Sequence, residues 1–102
     1  MALQAALEPL VTQHNARLVG LASELILQKH RTAVFDVYGI FQSIQVTGAT
    51  AYSITQTQQP CFNSTAGTLC SDPDRHLFFD ILHPTERVHT LIGELLAGEL
   101  AI

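Results

Sequence analysis

Apolar residues recur along the first third of the chain at spacings of three and four: Leu3, Leu7, Leu10, Val11, Leu18, Leu21, Ala22 and Leu25. That is the period of a helix with one apolar stripe, and Arg17, Glu24 and Gln28 fall mainly on other faces. The pattern predicts one long amphipathic helix. Pro9 interrupts it, because proline lacks an N–H and crowds the preceding turn. A fresh helix start near Glu8, or a kink, is expected there. His14 lies on the stripe, where a packed, hydrogen-bonded ring is expected rather than a ligand.

After the polar break Lys29-His30-Arg31, the run Thr32-Ala33-Val34-Phe35-Asp36 is β-branched and aromatic. It reads as a buried strand. A long helix feeding such a strand is half of a βαβ unit, so a parallel sheet is expected. Val37, Ile40, Phe41 and Ile44 then return to helical spacing and predict a short helix. Asp36 has two readings, a ligand-binding residue at a strand's carboxyl end or a cap for the following helix. The cap is the reading adopted.

From Gln45 to Arg75 the pattern dissolves into Thr, Gln, Ser, Asn, Gly and Pro. A loop of this length is unusual inside a compact domain. It holds both cysteines, Cys61 and Cys70. They read either as two unrelated thiols or as a local disulfide pinning the loop. Closure of a loop this size contributes about 2.5–3 kcal/mol in the chain-entropy model. Asn63-Ser64-Thr65, between them, fits the N-glycosylation acceptor pattern. Together these features point towards an oxidising, extracytoplasmic compartment.

The final third regains order. His76-Leu77-Phe78-Phe79 is apolar and leads to Asp80; Ile81-Leu82-His83-Pro84-Thr85-Glu86 then enters a helix carrying Val88, Leu91, Ile92, Leu95 and Leu96 on one face. Pro84 suits the first helical turn, where its missing N–H is no loss. Glu86 suits the positive end of the helix dipole.

Composition narrows the possibilities. With 102 residues, 47% hydrophobic and 14% charged, the chain has room for one modest domain. Its net charge of −4 and five scattered Lys and Arg argue against nucleic acid or anionic membrane as a partner, since both favour a basic face. No apolar run reaches the ~18 residues that a bilayer span needs. The start, MALQAALEPL, lacks the basic region and long apolar core of a signal peptide. For an exported parent protein, the signal is expected upstream.

Asp80 and His83 form a D-x-x-H-P element. A histidine base takes a hydroxyl proton through one ring nitrogen while a carboxylate holds the other and sets the tautomer. Three residues on a tight turn can bring the two together without distant help. The competing reading is a helix-capping turn whose Asp and His satisfy backbone groups. The wider run HLFFDILHPTERVH resembles the last conserved block of the GDSL lipases and esterases, where an aromatic pair precedes D-x-x-H-P-T and a second histidine follows. Here these are Phe78-Phe79, Asp80, His83-Pro84-Thr85 and His89. The lead-in Cys61, Cys70, Pro73, and upstream His14-Asn15 with Leu18 and Phe35-Asp36-Val37-Tyr38 with Phe41, resemble the family as well.

The resemblance implies an α/β fold: the C-terminal portion of a three-layer α/β/α (SGNH-hydrolase-like) sandwich, with residues 1–102 forming one incomplete domain. It also implies carboxylic ester hydrolysis on a small-molecule or lipid ester, a secreted parent, Asp80 as triad acid and His83 as base. His89 falls on a helix position read as structural. No cofactor or metal is expected.

The family's G-D-S nucleophile element and its G-x-N-D oxyanion element have no counterpart here. Ser23, Ser43, Ser53, Ser64 and Ser71 lack flanking Gly-Asp, and no G-x-S-x-G elbow is present. Without nucleophile and oxyanion donors the dyad has nothing to activate. The chain alone is therefore expected to be inactive, with self-association or complementation by the missing N-terminal part as the way to cover its helix faces. Two other readings are a non-catalytic helical interaction domain with an esterase-like tail, and a metal site from His76, Asp80, His83 and His89. The second is disfavoured because His83 and His89 straddle a helix start and do not share a face.

Overall fold

The computed structural model describes residues 2–100, with side chains from residue 5. They fall into two units, residues 2–36 and 37–100.

The first unit is one helix and a tail. Helix α1 (Ala2–Leu27) continues through Pro9, so the fresh start expected near Glu8 does not occur. One proline removes one backbone bond, and the surrounding turns carry the helix past it. The Thr12 hydroxyl donates to the Glu8 and Pro9 carbonyls at 3.1 and 3.0 Å, a back-bond common where helices bend. After α1, Lys29 takes a left-handed conformation, φ 67°. The His30 N–H reaches the Leu25 carbonyl at 3.0 Å and the Lys29 N–H reaches that of Ile26 at 2.9 Å. These are the paired closing bonds of a Schellman end.

Of the apolar stripe, Ala22 is buried, whereas Leu7, Leu10, Val11, Leu18, Leu21 and Leu25 are exposed. His14 is exposed too, its Nδ1 lying 3.3 Å from Asn15 Oδ1; it has the expected hydrogen bond without the expected packing. The strand read at residues 32–36 is not formed among the described residues, where 30–36 are irregular. A strand exists through its partner's ladder bonds, and no described segment pairs with this one.

The second unit starts with α2 (Val37–Ala51), directly after Asp36. It outruns the short helix expected to end at Ile44, although Thr47, Gly48 and Thr50 are weak helix formers. Packing overrides propensity here. Ile44 and Gly48 are buried one turn apart, and a Cβ on Gly48 would lie 3.2 Å from the Ile54 carbonyl oxygen. Its absence lets the chain fold back. Ser53 turns left-handed at φ 59°, and the Ile54 N–H donates to the Gly48 carbonyl at 2.9 Å.

The expected long loop is partly ordered. Strands β1 (Phe62–Asn63) and β2 (Thr68–Leu69) make an antiparallel hairpin, bracketed by a Cys61–Cys70 disulfide. A 3₁₀ turn follows at Pro73–Arg75, and helix α3 spans Glu86–Leu100. Ile44, Ile54, Leu77, Val88 and Leu91 form the core, with Ile40, Phe41, Tyr52, Phe78 and Ile92 packed around it. Each of the larger side chains contributes roughly 1.5–3 kcal/mol on burial.

The extended segment 76–79 is the hub of this unit. The Leu77 N–H donates to the Gln56 carbonyl at 2.9 Å, while the Cys61 and Phe62 N–H groups donate to the Phe78 and Phe79 carbonyls at 3.0 and 2.7 Å. Phe41 and Phe78 stack with ring centroids 5.9 Å apart. This bonding fixes where the segment ends, and it ends at Asp80.

Candidate functional site

Asp80 terminates the hub segment and folds the next residues around its own carboxylate. Oδ1 accepts the N–H groups of Leu82 and His83 at 2.8 and 2.7 Å. The turn is closed from outside, since the Phe79 N–H donates to the His83 carbonyl at 2.8 Å. Phe78 and Pro84 bridge beyond it. The bridge to Phe78 and the Thr85 N–H bond to the Leu77 carbonyl hold Pro84 on an extended path, so it precedes α3 instead of occupying the first helical turn as expected.

Thr85 starts α3. Its hydroxyl donates to the His76 carbonyl at 2.9 Å and accepts the Val88 N–H at 3.4 Å. Its backbone N–H donates to the Leu77 carbonyl at 3.1 Å. One buried side chain thus caps the helix and ties it to the hub, anchoring the exit of the Asp80–His83 turn.

Within that turn, His83 Nδ1 lies 2.9 Å from Asp80 Oδ2 and 3.0 Å from Oδ1. The backbone N–H groups of Leu82 and His83, followed by the His83 ring, hold the Asp80 carboxyl below its ordinary value of 3.8. Asp80 is therefore ionised at neutral pH and can only accept. Nδ1 must carry the proton, which makes Nε2 the basic nitrogen of the neutral ring. The His83 side chain is 70% exposed and that of Asp80 33%, and Nε2 has no partner among the described residues. The turn presents an oriented base outward.

The other histidines do not join this site. His76 is buried, with Nδ1 2.9 Å from the Gln59 carbonyl and Nε2 3.2 Å from Asp72 Oδ1. It ties the 3₁₀ turn to the residues ahead of the hairpin, a role the sequence reading missed. Its signal, Asp72 four residues before His76, is faint. His89 is exposed on α3. His76, Asp80, His83 and His89 do not converge as a ligand set; among the described residues the donors that approach one another are Cys70, Asp72 and His76, within 4.8 Å. Cys70 is committed to the disulfide, which leaves that group short of a thiolate.

No family profile matches the chain, and no solved structure matches it. Among curated proteins it is similar to three from Arabidopsis thaliana. It is 26% identical to GDSL esterase/lipase EXL6 over 86 residues, 80% of this chain and 25% of that protein. It is 28% identical to GDSL esterase/lipase At3g50400 over 105 residues, 88% of this chain and 28% of that protein. It is 29% identical to the anther-specific proline-rich protein APG over 98 residues, 83% and 18% respectively. The chain thus spans between 18% and 28% of the length of these relatives. The similarity is GDSL-like, partial and weak. Among the described residues, no helix is long and apolar enough to cross a membrane.

Proposed function

We propose that this chain is the acid–base portion of a GDSL-type carboxylic ester hydrolase, with Asp80 as the acid, His83 as the base, and the nucleophile and oxyanion donors supplied from outside these 102 residues. The observation that carries this reading is the contact of the Asp80 carboxylate with His83 Nδ1 at 2.9 Å, which leaves Nε2 as an exposed base. Nε2 takes the proton of a serine hydroxyl as it attacks the ester carbonyl, then returns it to the leaving alcohol. Asp80 stays ionised throughout and stabilises the imidazolium. In this reading residues 32–36 join the sheet of a three-layer α/β/α sandwich completed by the same outside segments. The Cys61–Cys70 disulfide supports an extracytoplasmic location.

The test is p-nitrophenyl acetate hydrolysis by the chain alone and mixed with the nucleophile-bearing N-terminal portion of a GDSL esterase/lipase. The expected result is activity only in the mixture, reduced by several orders of magnitude in His83→Ala. Activity in the mixture that survives His83→Ala would overturn the assignment. A second reading, a helical interaction domain, draws on the exposed apolar positions of α1. A monomeric chain that melts cooperatively and ignores the complementing portion would favour it.

A further inference from the structure

The hairpin closed by Cys61–Cys70 has no part in the dyad, yet it displays an acceptor sequence on an exposed turn. Residues 63–69 are all exposed. Asn63 Oδ1 accepts the N–H groups of Thr65 and Ala66 at 3.0 and 3.1 Å. Both partners are donors, so the oxygen must be the amide atom facing them. Nδ2 is therefore the outward atom, and it has no partner among the described residues. The Gly67 N–H closes the turn on the Asn63 carbonyl at 2.8 Å, with Gly67 at φ +68°.

The strand register fixes which way the site faces. Asn63 pairs with Thr68, and Phe62 with Leu69, so the two pairs lie on opposite faces of the hairpin. Phe62 stacks on Phe79 with centroids 6.3 Å apart. Asn63 thus projects away from that stack and from the segment leading to Asp80. The same hairpin carries a disulfide, which forms in the oxidising compartments where glycan transfer occurs.

We infer that Asn63 is an N-glycosylation site, with Thr65 as its hydroxyl residue. The co-substrate is an oligosaccharyl diphospho-lipid. Nδ2 forms a bond to the anomeric carbon of the first sugar, and the bond from that carbon to the diphosphate oxygen breaks. The diphospho-lipid leaves with the electron pair, and one Nδ2 proton passes to a base of the transferase. The modification is independent of the esterase reading, because neither Asp80 nor His83 takes part.

The test is translation of the 102-residue chain behind a secretory leader in the presence of endoplasmic-reticulum microsomes, comparing wild type with Thr65→Ala, Thr65→Ser and Asn63→Gln. Wild type and Thr65→Ser should each run as a slower species that peptide N-glycosidase collapses, leaving aspartate in place of Asn63 by peptide mass mapping. Thr65→Ala and Asn63→Gln should run unshifted. Thr65 serves the turn through its backbone N–H, so Thr65→Ala keeps the fold, and an oxidised Cys61–Cys70 pair confirms lumenal entry in each variant. An oxidised wild-type chain without a shift would overturn the inference, and so would a shift that persists in Thr65→Ala.

Discussion

Both oxygens of the Asp80 carboxylate face a single ring nitrogen of His83, at 2.9 and 3.0 Å, while Oδ1 also binds two backbone N–H groups of the same turn. One side chain therefore builds the turn and sets the histidine tautomer. Isosteric substitution distinguishes the two tasks, because an amide oxygen in the Oδ1 position still accepts the backbone bonds, whereas an amide nitrogen in the Oδ2 position, 2.9 Å from Nδ1, donates and so favours an unprotonated Nδ1.

Asp80→Asn should accordingly keep the fold and shift the ring proton to Nε2. In the complemented hydrolase, activity should fall by about four orders of magnitude, as with loss of the correct tautomer in serine proteases. In the chain alone, the nitrogen chemical shifts of His83 should exchange their protonated and unprotonated values. An unchanged tautomer would separate Asp80 from the role of acid.

The acid stability of the chain should bear the same signature. The amides of Leu82 and His83, and then the His83 ring, lower the Asp80 carboxyl from its ordinary value of 3.8. A carboxyl depressed in the folded state binds its proton more readily when unfolded, so its contribution is fully present above 3.8 and is lost as pH falls through the lowered folded value. Melting temperature against pH should therefore show a decline below about 4 that is shallower in Asp80→Asn. Equal slopes would mean that other carboxylates govern acid unfolding.

The Asp80–His83 contact could be read from sequence because all of the turn's bonds fall between Phe79 and His83, where spacing and turn chemistry are local. The long helices were legible for a similar reason: their periodicity is local too. Residues 32–36 were not, since β propensity says nothing about whether a partner strand is at hand. Nor was the length of α2, which depends on Ile54 closing over Gly48, a contact no helical period encodes. His76 was legible only as a possible ligand, whereas its buried ring bonds Gln59, a residue 17 positions away.

Thr85 offers a measurable split between capping and packing. Removing its hydroxyl deprives the Val88 N–H of an acceptor and the His76 carbonyl of a donor. Thr85→Ala should therefore destabilise the chain by about 1–2 kcal/mol, and Thr85→Ser should restore most of the loss. Urea denaturation followed by circular dichroism checks both, and equal losses in the two variants would assign the effect to the methyl group.

The fold-back after α2 gives two substitutions of opposite sign. Gly48→Ala gains up to about 1 kcal/mol of helix propensity. Its Cβ, however, would lie 3.0 Å from Ile44 Cγ2 and 3.2 Å from the Ile54 carbonyl oxygen. The Ile44 side chain can yield, but the carbonyl belongs to backbone held by the Gly48–Ile54 and Thr55–Arg75 bonds. Overpacking of this kind costs about 1–3 kcal/mol, so the net effect should be destabilising. Ser53→Gly, at φ 59°, should instead stabilise by about 1 kcal/mol, because glycine occupies the left-handed region without the Cβ clash. Melting temperatures of the two variants should move in opposite directions. A rise in Gly48→Ala would show that the Ile54 segment can withdraw from α2 at little cost.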